Sequence, residues 1–354
     1  MSPMIPEHIH LSHQISPDNA GLRLDKVLAM HFAQHSRARL QQWIEAGFVL
    51  VEGNQWRGSD KVKGNERVEI DAPIELCGSW EANHAHPNMP EIAIVYEDDS
   101  LIVIDKPAGW VTHPGAGTHV NTVANVLLSR YPELAYVPRA GIVHRLDKDT
   151  TGLMVIARTL AAQTDLVQQL AARTVCREYE AIVTGRMIAG GTVDAPIGRS
   201  VQNRLRMAVI GNGRSARTHY RVIQRFPAHT HLQLKLETGR THQIRVHMMH
   251  IGYPIIGDPI YGGRFRLFKG ASPELNAVLK GLKRQALHAR RLTLTHPRTG
   301  QILSWESPLP LDIQTLLTAL NMPSGDERPL ASLAQLAPRA QLASLAQDNA
   351  STSP

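Results

Sequence analysis

Gly141-Ile142-Val143-His144-Arg145-Leu146-Asp147-Lys148-Asp149-Thr150-Thr151-Gly152-Leu153-Met154-Val155-Ile156-Ala157 is the stretch on which the reading of this chain turns. It opens with a short apolar run, passes through a polar turn closed by Gly152, and ends in a second apolar run, Leu153–Ala157. This pattern predicts strand, turn, strand. In the first strand Val143, Arg145 and Asp147 share one face by the two-residue period, so Arg145 projects beside Asp147. An adjacent guanidinium keeps a carboxylate ionised at neutral pH. An ionised carboxylate at a strand end can attack as a nucleophile or stabilise a growing positive charge. The same residues also fit a turn aspartate that bonds its own backbone.

The pattern extends in both directions. Upstream, Ile92–Tyr96, a Glu97–Ser100 turn and Leu101–Ile104 predict a hairpin. Downstream, strands and helices mix without the regular alternation of a doubly wound sheet. The expectation is an α+β domain over residues 91–320 with a large, mainly antiparallel mixed sheet. Tyr179 stands between Glu178 and Glu180 and would face away from both on a strand, as a core residue does. Thr241 is placed to cap a helix with Ile244, Met248 and Ile251 on one face and Gly252 as its stop. Gln243 and Arg245 then fall in the first turn, where backbone amides favour anions; the bland alternative is a surface turn. His247 and His250 lie three apart on that helix, but no carboxylate or thiolate nearby completes a metal site.

Towards the N-terminus, residues 1–20 are polar and lack an apolar signal core, so 1–21 is expected to be a flexible arm. A small unit over 22–75 follows, with one helix from Leu22 and a second capped by Ser36 and stopped at Gly47. Its strands run from Val49, through a turn at Gly53–Asn54, to Val68-Glu69-Ile70. Arg37 and Arg39 flank the solvent side of the second helix. Residues 76–90, with Pro87, Pro90 and Gly78, read as a linker. Residues 330–347 are three tandem hexapeptides, LASLAQ, LAPRAQ and LASLAQ. Six matches no helical period and Pro338 interrupts, so 321–354 is expected to be a disordered low-complexity tail.

Composition narrows the function. The 354 residues are 43% hydrophobic and 19% charged, which excludes a wholly disordered chain. Cys77 and Cys176 are too few and too far apart for a disulfide framework or a four-thiolate zinc site. No apolar run approaches the roughly 18–20 residues of a membrane span, so a cytoplasmic protein is expected. Residues 1–90 hold 8 basic against 11 acidic side chains, a net of −3, whereas residues 135–300 hold 26 against 9, a net of +17. That excess repels itself unless a polyanion is near, and nucleic acid is the first candidate. The basic run Arg199, Arg204, Arg206, Arg214, Arg217, Arg221 and Arg225 fits a backbone clamp or a solvated basic hairpin.

Six segments in order carry a family resemblance. HRLDKDTTG at 144–152 resembles the signature of the RluA-type pseudouridine synthases. Lys106-Pro107-Ala108-Gly109 through His113-Pro114, Arg177-Glu178-Tyr179-Glu180-Ala181, Gly239–His247, Gly257–Gly262, and Leu287-His288-Ala289 with Leu292 resemble further blocks of that family. Arg23–Val27 with Ser36-Arg37 resembles an S4 RNA-binding domain. The resemblance implies isomerisation of uridine in RNA: the C1′–N1 bond breaks, the uracil turns, and C5 bonds to C1′. It needs no cofactor and no metal. It implies Asp147 as the catalytic residue, Tyr179 against the uracil and in proton removal, and Arg245 as the partner of Asp147. It also implies that Arg145 fills the space of the flipped base, with His144, Lys106 and Gln243 as further substrate-binding candidates. Arg37, Arg39, Arg199, Arg204 and Arg206 are the RNA-binding candidates.

Within the family, Arg177–Ala181, Ala189–Asp194 and Lys269–Ser272 resemble the branch acting on large-subunit (23S) ribosomal RNA, at the helix 69 stem-loop. Ribosomal RNA, free or in the pre-50S particle, is the partner expected, and a monomer the default state. A sibling synthase acting on another ribosomal site or on transfer RNA, a base hydrolase, and a non-catalytic assembly factor remain alternatives.

Overall fold

The computed structural model describes residues 8–32, 35, 37–73, 91–114, 122–203, 206–262 and 271–322. The 76–90 linker, Ser36, Cys77, Arg204, residues 269–270 and the 323–354 part of the expected tail lie outside them.

The N-terminal unit begins with β1 (His8–Gln14), then α1 (Leu24–His31), α2 (Arg37–Glu45), β2 (Val49–Val51), β3 (Asn54–Gln55) and β4 (Arg67–Pro73). Its sheet has the order β1-β4-β2-β3, all antiparallel. Leu24, Val27, Leu28, Leu40 and Trp43 of the helices pack on Val49, Val51, Val68 and Ile70 of the sheet. The flexible arm expected over 1–21 is corrected for residues 8–21, because His8–Gln14 pairs residue by residue with Arg67–Pro73; residues 1–7 lie outside the described residues. Only Ile9 and Leu11 pack on the core from β1, so histidines mask the alternating pattern. The tight turn also shifts by one residue: Val51 pairs with Asn54, and Glu52 and Gly53 hold the positive φ angles of 49° and 72°. Two central residues at positive φ match the twist of a two-residue hairpin.

The second unit runs β5 (Ala93–Glu97), β6 (Leu101–Lys106), α3 (Val123–Arg130), β7 (Thr151–Ala157), α4 (Leu160–Ala171), β8 (Cys176–Thr184), β9 (Gly191–Asp194), β10 (Ile197–Arg199) and β11 (Met207–Val209). It continues with β12 (Arg217–Arg225), β13 (His229–Leu236), α5 (Gln243–His250), α6 (Pro273–Gly281), β14 (Leu287–Thr295), β15 (Ile302–Glu306) and α7 (Leu311–Asn321). Nine strands form one sheet in the order β5-β6-β7-β14-β8-β13-β12-β9, with β15 paired to β14. Every pairing is antiparallel except β7 with β14. The fold is therefore α+β with a large mixed sheet.

Both faces of the sheet are covered at its centre. Ile102, Ile104, Met154 and Ile156 join Tyr179, Leu232 and Leu234 in the core on one face. Leu101, Val103, Leu153 and Val155 pack with Ala162 and Leu166 of α4 on the other. Burial on both sides explains why β6 and β7 read as continuous apolar runs. No helix among the described residues is long and apolar enough to cross a membrane.

Four buried histidines give a pH test. Burial, helped by nearby arginines at the first three, pulls the pKa of His35, His113 and His144 to about 4, 4 and 3. Burial alone takes His229 to about 4. In the unfolded chain each binds its proton near its ordinary value of 6.5, so the unfolded state holds more protons below that pH. Their stabilising contribution is complete above pH 6.5 and is lost as pH falls towards 4 to 3. Thermal melts from pH 7.5 to 4.5 should show Tm falling, most steeply below pH 6.5; a flat Tm between pH 7 and 5 would contradict this.

Candidate active site

Asp147 lies on a nine-residue loop, Ile142–Thr150, between the second unit's core and β7. The strand expected over Ile142–Asp147 is corrected: only Ile142 makes a bridge, to Ile156. The rest forms no strand: it bends at His144 and turns at Lys148–Asp149, where the Thr150 amide closes on Asp147 O at 3.1 Å, and several of its other polar groups go to side chains. Thr112 donates to Leu146 O at 2.9 Å, and Lys106 to Lys148 O at 2.9 Å. Arg284 donates to Asp149 O at 3.1 Å, and Gln285 to the Thr150 hydroxyl at 3.0 Å. Two glycines let the loop ends approach closely. A Cβ on Gly141 would sit 1.9 Å from Ala157 O, and one on Gly152 2.3 Å from Ala289 O; both have positive φ.

This loop, β8 and the start of α5 line a cavity of about 300 Å³. Its lining contains one carboxylate among the described residues, Asp147, and five arginines: Arg139, Arg145, Arg177, Arg240 and Arg245. The partner of Asp147 is Arg245, whose Nη1 donates to Asp147 Oδ2 at 3.0 Å. Arg145 is exposed and lines the cavity; the pairing partner is thus another arginine, 98 residues along the chain.

Arg245 does not depend on Asp147 alone. Its Nε and Nη2 fork onto Asp258 at 2.7 and 2.9 Å. Asp258 Oδ1 also accepts the amides of Ile260 and Tyr261 at 2.9 and 3.0 Å. Burial opposes these charges, but the pairing outweighs it, raising the pKa of Arg245 and lowering that of Asp258. The Tyr261 ring lies under the guanidinium, 5.1 Å from Cζ. Asp258 was not among the residues singled out from sequence. Its signal is an aspartate followed by Pro259, a turn residue capping the next two amides.

The helix carrying Arg245 starts one residue later than expected. His242, at φ 56°, occupies the cap position instead of Thr241 and makes no side-chain cap bond. Its ring instead meets the Tyr261 hydroxyl at 2.9 Å through Nδ1 and approaches Asp147 to 3.9 Å through Nε2. Burial lowers its pKa, so it is neutral at pH 7. The surface-turn alternative fails, because Gln243 and Arg245 are 3% and 4% exposed. Tyr179 is buried with the core, as its alternation predicts, and also lines the cavity.

Three residues expected to meet the substrate make internal bonds in this structure, although His144 and Gln243 also line the cavity. Lys106 is fully buried, and its Nζ donates to Pro107 O, Trp110 O and Lys148 O at 2.8, 3.0 and 2.9 Å. Burial pulls its pKa to about 7, while Asp149 and Asp147 pull it back up. His144 accepts the Val155 amide through Nε2 at 3.1 Å and stays neutral. Gln243 uses its whole amide internally, accepting from Thr238 and the Arg240 amide and donating to Arg217 O and the Thr218 hydroxyl. His247 is likewise committed, to the Thr218 hydroxyl and Ala195 O.

The RNA-binding candidates divide. Arg199 and Arg206 are exposed on the β10–β11 hairpin region. Arg217 pairs with Asp194 and Glu237, Arg221 bonds Gln233, and Arg225 bonds two carbonyls, so part of the basic run is internal structure. Arg37 donates to Asp25 at 2.8 Å, and Arg39 lies over the Trp43 ring at 5.5 Å. Burial works against the Asp25 charge, but bonds from Arg23, Arg37 and Gln41 hold its pKa at about 2.

With this geometry in view, the comparisons with known proteins are direct. The chain is 55% identical over 300 residues to ribosomal large subunit pseudouridine synthase D of Pseudomonas aeruginosa, covering 85% of this chain and 92% of that protein. The chain belongs to the RluA family of pseudouridine synthases. A relative of the same name from Xanthomonas campestris pv. campestris is 52% identical, over 91% of this chain and 96% of that one. The family model described as RNA pseudouridylate synthase matches residues 100–250, and that of the S4 domain residues 22–68. The solved structure of human RNA pseudouridylate synthase domain containing 4 superposes with a TM-score of 0.52 at 27% identity. It covers 64% of this chain and 92% of its own. This RluA-family enzyme therefore carries an N-terminal S4 unit and a pseudouridine synthase domain.

Two substitutions test the supporting roles. Lys106→Met leaves three carbonyls without their donor, so it should destabilise the protein by roughly 2–4 kcal/mol. It should also lower kcat more than it changes RNA affinity. An unchanged melt with lost binding would return Lys106 to the substrate. Arg37→Ala should cost about 1–2 kcal/mol and speed amide hydrogen exchange in α1 and α2. Weakened RNA binding with unchanged exchange would show that Arg37 serves RNA alone.

Proposed function

We propose that this enzyme isomerises uridines of large-subunit (23S) ribosomal RNA, at the helix 69 stem-loop, with Asp147 as the catalytic carboxylate. The observation that carries the assignment is the position of Asp147: the one carboxylate among the described residues lining an arginine-rich cavity, tied to a buried guanidinium. The relatives named for the large ribosomal subunit support the choice of RNA.

The target uridine must leave its stack to reach such a cavity. The exposed Arg139 and Arg145 at the cavity suit the phosphates of the extruded nucleotide and the gap it leaves. Asp147 then meets C1′. As the C1′–N1 bond opens, positive charge grows on the sugar, and the carboxylate either bonds to it or stabilises it. Arg245 orients the carboxylate through one N–H while Asp258 holds the other side of the guanidinium. After the uracil turns, C5 bonds to C1′ and loses its proton. Tyr179 is the cavity phenol facing this event, and burial raises its pKa. It meets the substrate as a hydroxyl, so its own proton goes to N1, which is protonated in the product, and the C5 proton takes its place.

Mapping pseudouridines in ribosomal and transfer RNA, from cells with and without this protein, tests the target. Loss confined to helix 69 is expected; loss elsewhere moves the assignment to a sibling site. Asp147→Asn is nearly isosteric, so tritium release from uridine-labelled RNA should vanish, a drop of at least a thousandfold, on the order of what loss of a nucleophile costs. Affinity and Tm should change little. Substantial turnover by the purified variant would remove Asp147 from the chemistry.

A further inference from the structure

Arg177 has no place in the account so far, and its setting is unusual. It comes from β8, and its guanidinium lines the cavity, yet it is only 7% exposed. Its Nε is buried without a hydrogen-bond partner. Among the described residues, no carboxylate forms an ion pair with it. The other deep arginine, Arg245, has two carboxylates. Arg240 donates to a carbonyl, Ser215 O. A buried cation without a partner is costly, and proteins normally pair it.

Its neighbours say what it faces. An added Cβ on Gly239 would lie 2.8 Å from Arg177 Nη1, so the guanidinium lies against the backbone of the loop leading to α5. Its charge is felt by both neighbours: it adds to burial in lowering the His144 pKa, and it opposes the rise that burial causes at Tyr179. Arg177 and Tyr179 share one buried face of β8 and stand about 6.5–7 Å apart along the strand, a span a pyrimidine ring can bridge. The exposed arginines, Arg139 and Arg145, occupy the outer part of the lining and suit phosphate. Arg177 lies deeper, where the base goes.

We infer that Arg177 is a catalytic residue that stabilises the uracil leaving group as its glycosidic bond breaks. The inference rests on the proposed reaction. When C1′–N1 opens, the electron pair stays on N1 and spreads onto O2 and O4, while Asp147 answers the positive C1′. After the turn, C5 bonds to C1′, the C5 proton leaves, and N1 takes a proton, so atoms and charge balance. A half-turn about the N3–C6 axis exchanges N1 with C5 and O2 with O4. The donor that meets one carbonyl before the turn therefore meets the other after it, and the anion is held throughout. A fixed cation aimed at charge that exists only once the bond is breaking lowers the barrier more than it tightens ground-state binding.

The test uses full-length protein, the RNA stem-loop identified by the mapping above, and the same stem-loop with 5-fluorouridine at the target. Fluorouracil is a less basic leaving group and needs less help to depart. Single-turnover loss of the N-linked nucleoside, which reads glycosidic cleavage on both substrates because fluorouridine has no C5 proton to lose, is measured with RNA affinity across a salt series and Tm for Arg177→Gln and Arg177→Lys. Arg177→Gln should slow uridine conversion by about 100-fold or more. Its deficit on fluorouridine should be at least tenfold smaller, with affinity and Tm unchanged or Tm raised. Arg177→Lys, which keeps the charge, should recover much of the rate. Equal slowing on both substrates overturns the inference. So does a loss of affinity that fades at high salt, the mark of a phosphate contact, or a fall in Tm that accounts for the slowing. The ratio between the two leaving groups does not depend on which carboxylate receives C1′. An active Asp147→Asn protein would therefore overturn the proposed function without touching this comparison.

Discussion

One guanidinium shared by two carboxylates organises the site. Arg245 is buried, and a lone buried charge would be strongly destabilising. Asp258 answers it with a two-point fork and is itself held by two backbone amides. That arrangement fixes the plane of the guanidinium and leaves Nη1 aimed at Asp147. Asp147 receives one hydrogen bond from this network, against four for Asp258, so its remaining lone pairs stay open to the cavity. Asp258 carries the structural load, and Asp147 is spared it.

The catalytic loop follows the same logic on the backbone. Loops that carry function are placed by the scaffold beneath them. Here Thr112, Lys106, Arg284 and Gln285 hold successive positions of the loop around Asp147. Arg284 is fixed in turn by a fork onto Asp312 at 2.6 and 2.7 Å. Four side chains from two stretches, 106–112 and 284–285, thus do what a neighbouring strand would do elsewhere.

This explains which features were legible in the sequence. The apolar runs of β6 and β7 and the alternation around Tyr179 are local, and the period reveals them. The candidates Asp147, Tyr179 and Arg245 come from resemblance, and the cavity brings them together. The pattern over Ile142–Asp147 is also local, but whether it is strand or loop depends on distant donors. Lys106 and Gln243 are substrate candidates by resemblance, and only the fold supplies the acceptors and donors they engage. The same holds for Arg37, whose partner Asp25 is twelve residues away in another helix. In β1 the signal was present, Ile9 and Leu11 alternating with polar residues, but His8, His10 and His13 among them disguised a sheet edge as an arm.

The position of β14 has a consequence for how the enzyme comes into being. Leu287–Thr295 lies between β7 and β8, at the middle of the large sheet, although it is nearly the last strand made. During synthesis β6 with β7, and β8 with β13, can form two half-sheets. Each then has an open edge until the late strand arrives to join them. Open edges are templates for mispairing, and long-range strand insertion is slow because its loop closure comes before its contacts. Arg284 and Gln285, which tie down the catalytic loop, arrive with the same segment. The emerging chain therefore remains open at its centre, with the Asp149–Thr150 end of the loop untied, until almost all of the domain has left the ribosome.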